Sequence, residues 1–193
     1  MKNYLKNLKI LKDGNVYSKT MEHDACGVGL IASTEGKKSR KVVEYGINAL
    51  KAVFHRGAVD ADGKTGDGAG IHIEIPSDFF SEKVEITGHK YDGSEICVGM
   101  IFLPRNDYAA QESCKTIVES ELTKNDFSIY GWRQVPVNPK VLGEKAFQTM
   151  PEIIQVLFKP YNPELTNKDL ERKIYETRRK IEINDLKKNC IKI

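Results

Sequence analysis

The run Ile96-Cys97-Val98-Gly99-Met100-Ile101-Phe102-Leu103 constrains the fold more than any other stretch of the chain. It reads as a nearly continuous apolar strand that ends at Pro104, a residue without an N–H to extend a ladder. Such a strand needs neighbours to pair its backbone. Phe127 to Val135 and Ile153 to Phe158 read as further strands, and Ile71, Ile73 and Ile75 alternate with His72 and Glu74 as a strand with one buried face, stopped by Pro76. Helical spacing appears between them. Val43, Ile47, Leu50 and Phe54 form one stripe from Ser39 to Phe54. Ala110, Cys114, Ile117 and Leu122 follow the capping candidate Asp107, while Leu170, Ile174 and Ile181 follow the capping candidate Thr166. Periodicity therefore predicts a fold of α plus β elements, without internal repeats or low-complexity segments.

A chain of 193 residues suits one domain and can bury a real core. Its 40% apolar and 30% charged residues are ordinary for a soluble protein, and a net charge of +3 makes no case for nucleic acid. The basic excess is local. Arg178 to Ile193 carries Arg178, Arg179, Lys180, Lys187, Lys188 and Lys192 against Glu182 and Asp185. Such a tail either binds polyanions or is a solvated helix end, and the second reading is favoured. No stretch approaches the ~20 apolar residues that span a bilayer, and residues 1–25 lack the apolar run of a secretory signal. The cysteines at 26, 97, 114 and 190 show no paired short spacing, and His23 with Cys26 lacks the second pair of a zinc site. Reduced thiols and a cytoplasmic location are the expectation.

Cys26 opens the run Cys26-Gly27-Val28-Gly29-Leu30-Ile31-Ala32, which reads as a first strand extending to Ser33. Two readings are open. A cysteine at a strand start can be a buried structural residue. Made N-terminal by cleavage after Ala25, it would carry its own base, because an α-amine titrates near ~8, close to the thiol's ~8.5. Gly27 and Gly29 either admit a substrate close to the strand or let it cross another backbone. The loop Asp60 to Gly70 is rich in glycine, but Gly63-Lys64-Thr65 lacks the earlier glycine of a phosphate loop, and Asp60, Asp62 and Asp67 would repel a phosphate. It reads as a tight turn. Calcium is disfavoured by the missing terminal glutamate. Trp132 and Arg133 read as a packed aromatic beside a snorkelling arginine.

Five segments occur in order: Glu22-His23-Asp24-Ala25-Cys26-Gly27-Val28-Gly29, His55-Arg56-Gly57-Ala58, Thr65-Gly66-Asp67-Gly68-Ala69-Gly70, Gly99-Met100-Ile101-Phe102-Leu103-Pro104-Arg105 and Gly131-Trp132-Arg133-Gln134-Val135-Pro136-Val137-Asn138. Together, from about Glu22 to about Ile181, they resemble the N-terminal glutamine amidotransferase domain of the glutamate synthase large subunit. That family is a class II amidotransferase of the N-terminal-nucleophile hydrolase type. The resemblance implies a four-layer αββα sandwich, incomplete here, and the division 1–25 leader or propeptide, 26–183 partial amidotransferase domain, 184–193 basic tail. It implies Cys26 as the nucleophile and Arg56 as the anchor for the substrate α-carboxylate, through two parallel hydrogen bonds. Asp67 is a further candidate contact for the substrate ammonium, and His55 for shaping the loop.

By the same resemblance the substrate is glutamine and the ammonia passes to the remaining synthase region or subunits. FMN, iron–sulfur clusters and NADPH belong to those regions, so this chain is expected to hold no cofactor, no metal, no nucleic acid and no membrane. The family takes its oxyanion donors from an Asn-Gly pair beyond the last helix, and no Asn-Gly dipeptide occurs in these 193 residues. The chain thus resembles a C-terminally truncated domain, either the glutaminase part of a synthase or an inactive remnant that still binds a glutamine-like ligand. If the self-base mechanism operates, N-terminal sequencing and intact mass of an active preparation will show Cys26 as the first residue. Full glutaminase activity from homogeneous Met1-initiated protein would contradict it.

Overall fold

The computed structural model describes residues 6–7, 9–10, 27–54, 57–66 and 68–188, with the backbone alone at 185–188. The chain divides into two compact units, Met1–Ala52 and Val53–Ile193. In the first unit, helix α1 spans Arg40–Ala52 and carries an exposed Arg40–Glu44 pair at 3.3 Å. Val43, Ile47 and Leu50 of the expected stripe are half-buried, and no residue of the helix is fully buried. Phe54 lies beyond the helix and is 76% exposed, so the stripe is one turn shorter than its spacing predicts.

The second unit holds α2 (Ser77–Ile86), β1 (Cys97–Leu103), α3 (Tyr108–Lys124), β2 (Phe127–Gln134), a 3-10 turn (Pro139–Val141), α4 (Glu144–Thr149), β3 (Glu152–Pro160) and α5 (Asn167–Lys188). The class is α+β, as expected. The three strands form one antiparallel sheet in the order β1-β3-β2. Its register places Gly99 opposite Val156 and Ile101 opposite Ile154 on one side, and Ile129 opposite Phe158 and Trp132 opposite Val156 on the other.

Strand alternation then sorts the side chains. On one face, Cys97, Val156, Phe158 and Phe127 pack with Val118 and Leu122 of α3 and Leu170 of α5. Leu103, Ile154 and Cys114 continue that face. On the other face, Leu157 and Tyr130 pack with Phe80 and Val84 of α2 and with Ile96. Met100 and Phe102 also belong to this second face and remain 49% exposed each.

Both capping candidates act as caps. The Asp107 side chain accepts from the Ala110 N–H at 2.9 Å, and Thr166 Oγ1 accepts from the Asp169 N–H at 3.2 Å. A bulge in β2 falls between Ile129 and Gly131, where Thr87 Oγ1 donates to the Tyr130 carbonyl at 2.8 Å. Gly131 has φ of 145°, and a Cβ there would lie 2.9 Å from Thr87 Cβ. Only glycine meets both conditions.

Two expected strands are corrected. Residues 27–33 form no ladder, and Val28 and Leu30 are 94% and 89% exposed. Ile71, Ile73 and Ile75 likewise join no sheet, and all three are exposed. Apolar alternation makes a strand only where a neighbour supplies hydrogen bonds and cover, and neither segment has one among the described residues. Helix α2 has no counterpart among the sequence expectations, although Phe80 and Val84 stand four apart behind Pro76 and both are buried.

Leu157 is fully buried on the central strand, so Leu157→Ala should destabilise the second unit by about 2–5 kcal/mol in chemical denaturation. Gly131→Ala should cost about 1–3 kcal/mol through the clash with Thr87, and an unchanged unfolding midpoint would contradict that close approach.

Candidate active site

Cys26, His55, Arg56 and Asp67 lie outside the described residues. The structure describes the chain that adjoins each of them. After Cys26, a Cβ built on Gly27 or Gly29 would meet no heavy atom within 4 Å.

Between Arg56 and Asp67 the chain makes a closed turn. Val59 and Gly66 form an antiparallel bridge, and the Asp60 N–H donates to the Thr65 carbonyl at 2.7 Å. Inside it, the Asp62 carboxylate accepts from the Lys64 N–H at 2.9 Å, the Thr65 N–H at 2.7 Å and the Thr65 hydroxyl at 2.5 Å. The Asp60 carboxylate accepts from the Ala61 N–H at 2.6 Å and pairs with Lys145 at 2.5 Å. Two of the three loop carboxylates are thus bound to the loop and its neighbour. The tight-turn reading of this stretch holds for residues 59–66.

These donors set the ionisation of Asp62. The Thr65 hydroxyl, then the Lys64 and Thr65 N–H groups and finally the Glu144 N–H, lower its pKa from 3.8 to about 2. Asp92 is a second stabilised carboxylate, held well below its usual range by Lys159 first and then by Ser94. Tyr130 donates to Asp92 at 3.1 Å, and burial pushes its phenol up. This trio joins the strand β3 to the turn before β1.

Trp132 is half-buried, and its indole N–H donates to Glu119 at 2.6 Å. Arg133 donates to Gln155 and lies 5.3 Å from the Phe79 ring centroid. Both keep the packing roles expected of them. Cys97 and Cys114 are buried thiols, and burial raises the Cys97 thiol to about 12, which makes it inert. An open cleft of about 510 Å³ is lined by Lys124, Asp126, Asp169, Arg172, Lys173 and Glu176, among which Asp169 pairs with Arg172 and Asp126 with Lys173. It contains none of the candidate residues.

Sequence reasoning missed Asp62, Thr65 and Gly143 as parts of the turn's framework. The Asp-x-x-Thr spacing was a readable signal; the approach of Gly143 was not, because nothing local encodes it.

The model of the class II glutamine amidotransferases matches residues 26–192. The chain belongs to that family. The match opens on Cys26 and includes every candidate residue. This amidotransferase segment is 51% identical over 176 residues to the glutamate synthase [NADPH] large chain of Azospirillum brasilense, covering 91% of this chain and 12% of that protein. It is 39% identical over 162 residues to ferredoxin-dependent glutamate synthase 2, chloroplastic, of Arabidopsis thaliana, covering 83% of this chain and 10% of that one. The ferredoxin-dependent glutamate synthase of Pyropia yezoensis is 37% identical over 175 residues, covering 90% and 11%. The segment therefore spans about a tenth of the length of these relatives. Among the described residues, no helix is long and apolar enough to cross a membrane.

The pH dependence of the turn follows from Asp62. Its folded pKa is depressed, so its contribution is complete above the unfolded value of ~3.9 and is lost as pH falls toward about 2. Carboxyl NMR titration should show Asp62 ionising near the bottom of that window; a midpoint at an ordinary aspartate value would contradict the hydrogen bonds described.

Proposed function

We propose that this amidotransferase segment is the glutaminase part of a glutamate synthase, working in a cytoplasmic setting. The observation that carries the reading is the family match from Cys26 to residue 192, together with 51% identity to a glutamate synthase large chain. In this reading Cys26 is N-terminal, and its α-amine accepts the thiol proton. The thiolate attacks the side-chain amide carbon of glutamine, forming a C–S bond. The α-ammonium returns the proton to the amide nitrogen, the C–N bond breaks, and ammonia leaves. Water then cleaves the glutamyl thioester, releasing glutamate and restoring the thiol.

Arg56 holds the substrate α-carboxylate with its two-pronged guanidinium, Asp67 faces the ammonium, and His55 shapes the loop between them. The ammonia goes to a synthase region, where FMN, iron–sulfur clusters and NADPH do the reductive chemistry; thiol hydrolysis itself calls for no cofactor. The four-layer αββα sandwich is part of the same proposal. It is supported by α3 and α5 covering one sheet face, and by Met100 and Phe102 left half-exposed on the other, where a second sheet would lie.

A binding module that holds glutamine without turning it over is the alternative.

Calorimetry with L-glutamine and an assay of ammonia release separate the two. Release above the Cys26→Ser background supports the glutaminase, whereas binding without release supports the module. In either case Arg56→Lys should weaken glutamine by about tenfold, since lysine keeps the charge and loses the fork, while the unfolding midpoint stays unchanged. Equal affinity in that variant would remove Arg56 from the site.

A further inference from the structure

The turn 59–66 is docked against the start of α4 by contacts that are unusually close. Gly143 precedes that helix with φ −72° and ψ 165°, backbone values open to any residue, so conformation does not call for glycine there. Space does. A Cβ on Gly143 would fall well inside contact distance of Thr65 Oγ1 and Asp62 Oδ2, and 2.5 Å from the Thr65 backbone nitrogen. The two side-chain atoms could swing away, but the backbone nitrogen cannot move without opening the turn. On the other side of the contact, the Glu144 N–H reaches the Asp62 carboxylate and Lys145 pairs with Asp60 at 2.5 Å.

Asp62 therefore has two functions at once. It ties the turn internally through the Lys64 and Thr65 N–H groups and the Thr65 hydroxyl. It also presents the face that meets Gly143. The bridge between Val59 and Gly66 closes the neck of the turn. From that neck the chain runs back through Ala58 and Gly57 to Arg56 and forward by one residue to Asp67. A docked turn thus lies, in sequence, between the two residues proposed to grip opposite ends of the amino-acid backbone of the substrate.

We propose that Asp62 and Gly143 are positioning residues for glutamine: by seating the turn 59–66 on the start of α4, they fix the spacing of Val59 and Gly66, the ends of the turn that lead in sequence to Arg56 and Asp67. The inference rests on the amidotransferase reading above and deepens it. Neither residue touches substrate. Their effect is on affinity for the amino-acid end of the ligand, because a bidentate grip tolerates little displacement.

The test is calorimetric titration of the 193-residue chain with L-glutamine, beside thermal melts, for wild type, Asp62→Ala, Asp62→Asn and Gly143→Ala. Asp62→Ala and Gly143→Ala should each weaken glutamine by about tenfold when titrated well below the melting temperature of each variant, where both are folded. Asp62→Asn retains an acceptor for the Lys64 and Thr65 N–H groups and should stay within about threefold of wild type, a conservative rescue that a purely electrostatic role would not give. Wild-type affinity in both Asp62→Ala and Gly143→Ala would overturn the inference and leave the function standing. Loss of binding that only tracks a lowered melting temperature would also overturn it. Failure of the wild type to bind glutamine would overturn the functional reading, and this inference with it.

Discussion

Backbone pairing of β3 along both its edges is the constraint on which the second unit depends. Glu152–Pro160 hydrogen-bonds to β1 on one side and β2 on the other, and Val156, Leu157 and Phe158 are buried in succession. Consecutive burial in a strand means that both faces are covered along that stretch. Val156 and Phe158 meet α3 and α5, while Leu157 meets α2. Gly99 contributes by lacking a side chain, since a Cβ there would lie 2.7 Å from Val156 Cγ1. The edge strands add what β3 cannot: Phe127 closes the core edge-on against Phe158 with ring centroids 5.1 Å apart.

This arrangement also sets where chemistry can occur. The sheet and its helices bury the two described cysteines and leave no reactive thiol among them. Turn 59–66, by contrast, is exposed and held by polar contacts, with Asp62 at its centre. α4 leads directly into β3, and the turn is seated on α4; in the function proposed above, that seat is the base of the glutamine-binding loops. Sites of this kind put specificity in loops and precision in the scaffold beneath them.

Much of the scaffold was legible from local chemistry. The caps at Asp107 and Thr166, the apolar run ending at Pro104 and the inward Leu170 each rest on neighbours within a few residues, and the structure bears them out. The segments 27–33 and 71–75 misled because their alternation describes a possible strand, and pairing is decided by distant chain. The half-buried stripe of α1 failed at Phe54 for a simpler reason, as the helix stops at Ala52. The candidate site was legible only through ordered motifs: Cys26 and Arg56 became candidates by their place in a family pattern, and the family match covers both. The seat of the turn on Gly143 was beyond reach, because it joins two segments far apart in sequence whose contact depends on the folded sheet between them.

The central proposal is that Cys26, on which the family match opens, is the thiol that reacts with a glutamine-shaped ligand. It is tested most directly by treating the chain with an electrophilic glutamine analogue and mapping the modified cysteine by peptide mass spectrometry, with and without L-glutamine. Modification is expected at Cys26 alone, suppressed by L-glutamine and absent in Arg56→Lys at the same analogue concentration, with the buried Cys97 and Cys114 untouched. Equal labelling of several cysteines, or labelling of Cys26 that L-glutamine does not suppress, would contradict it.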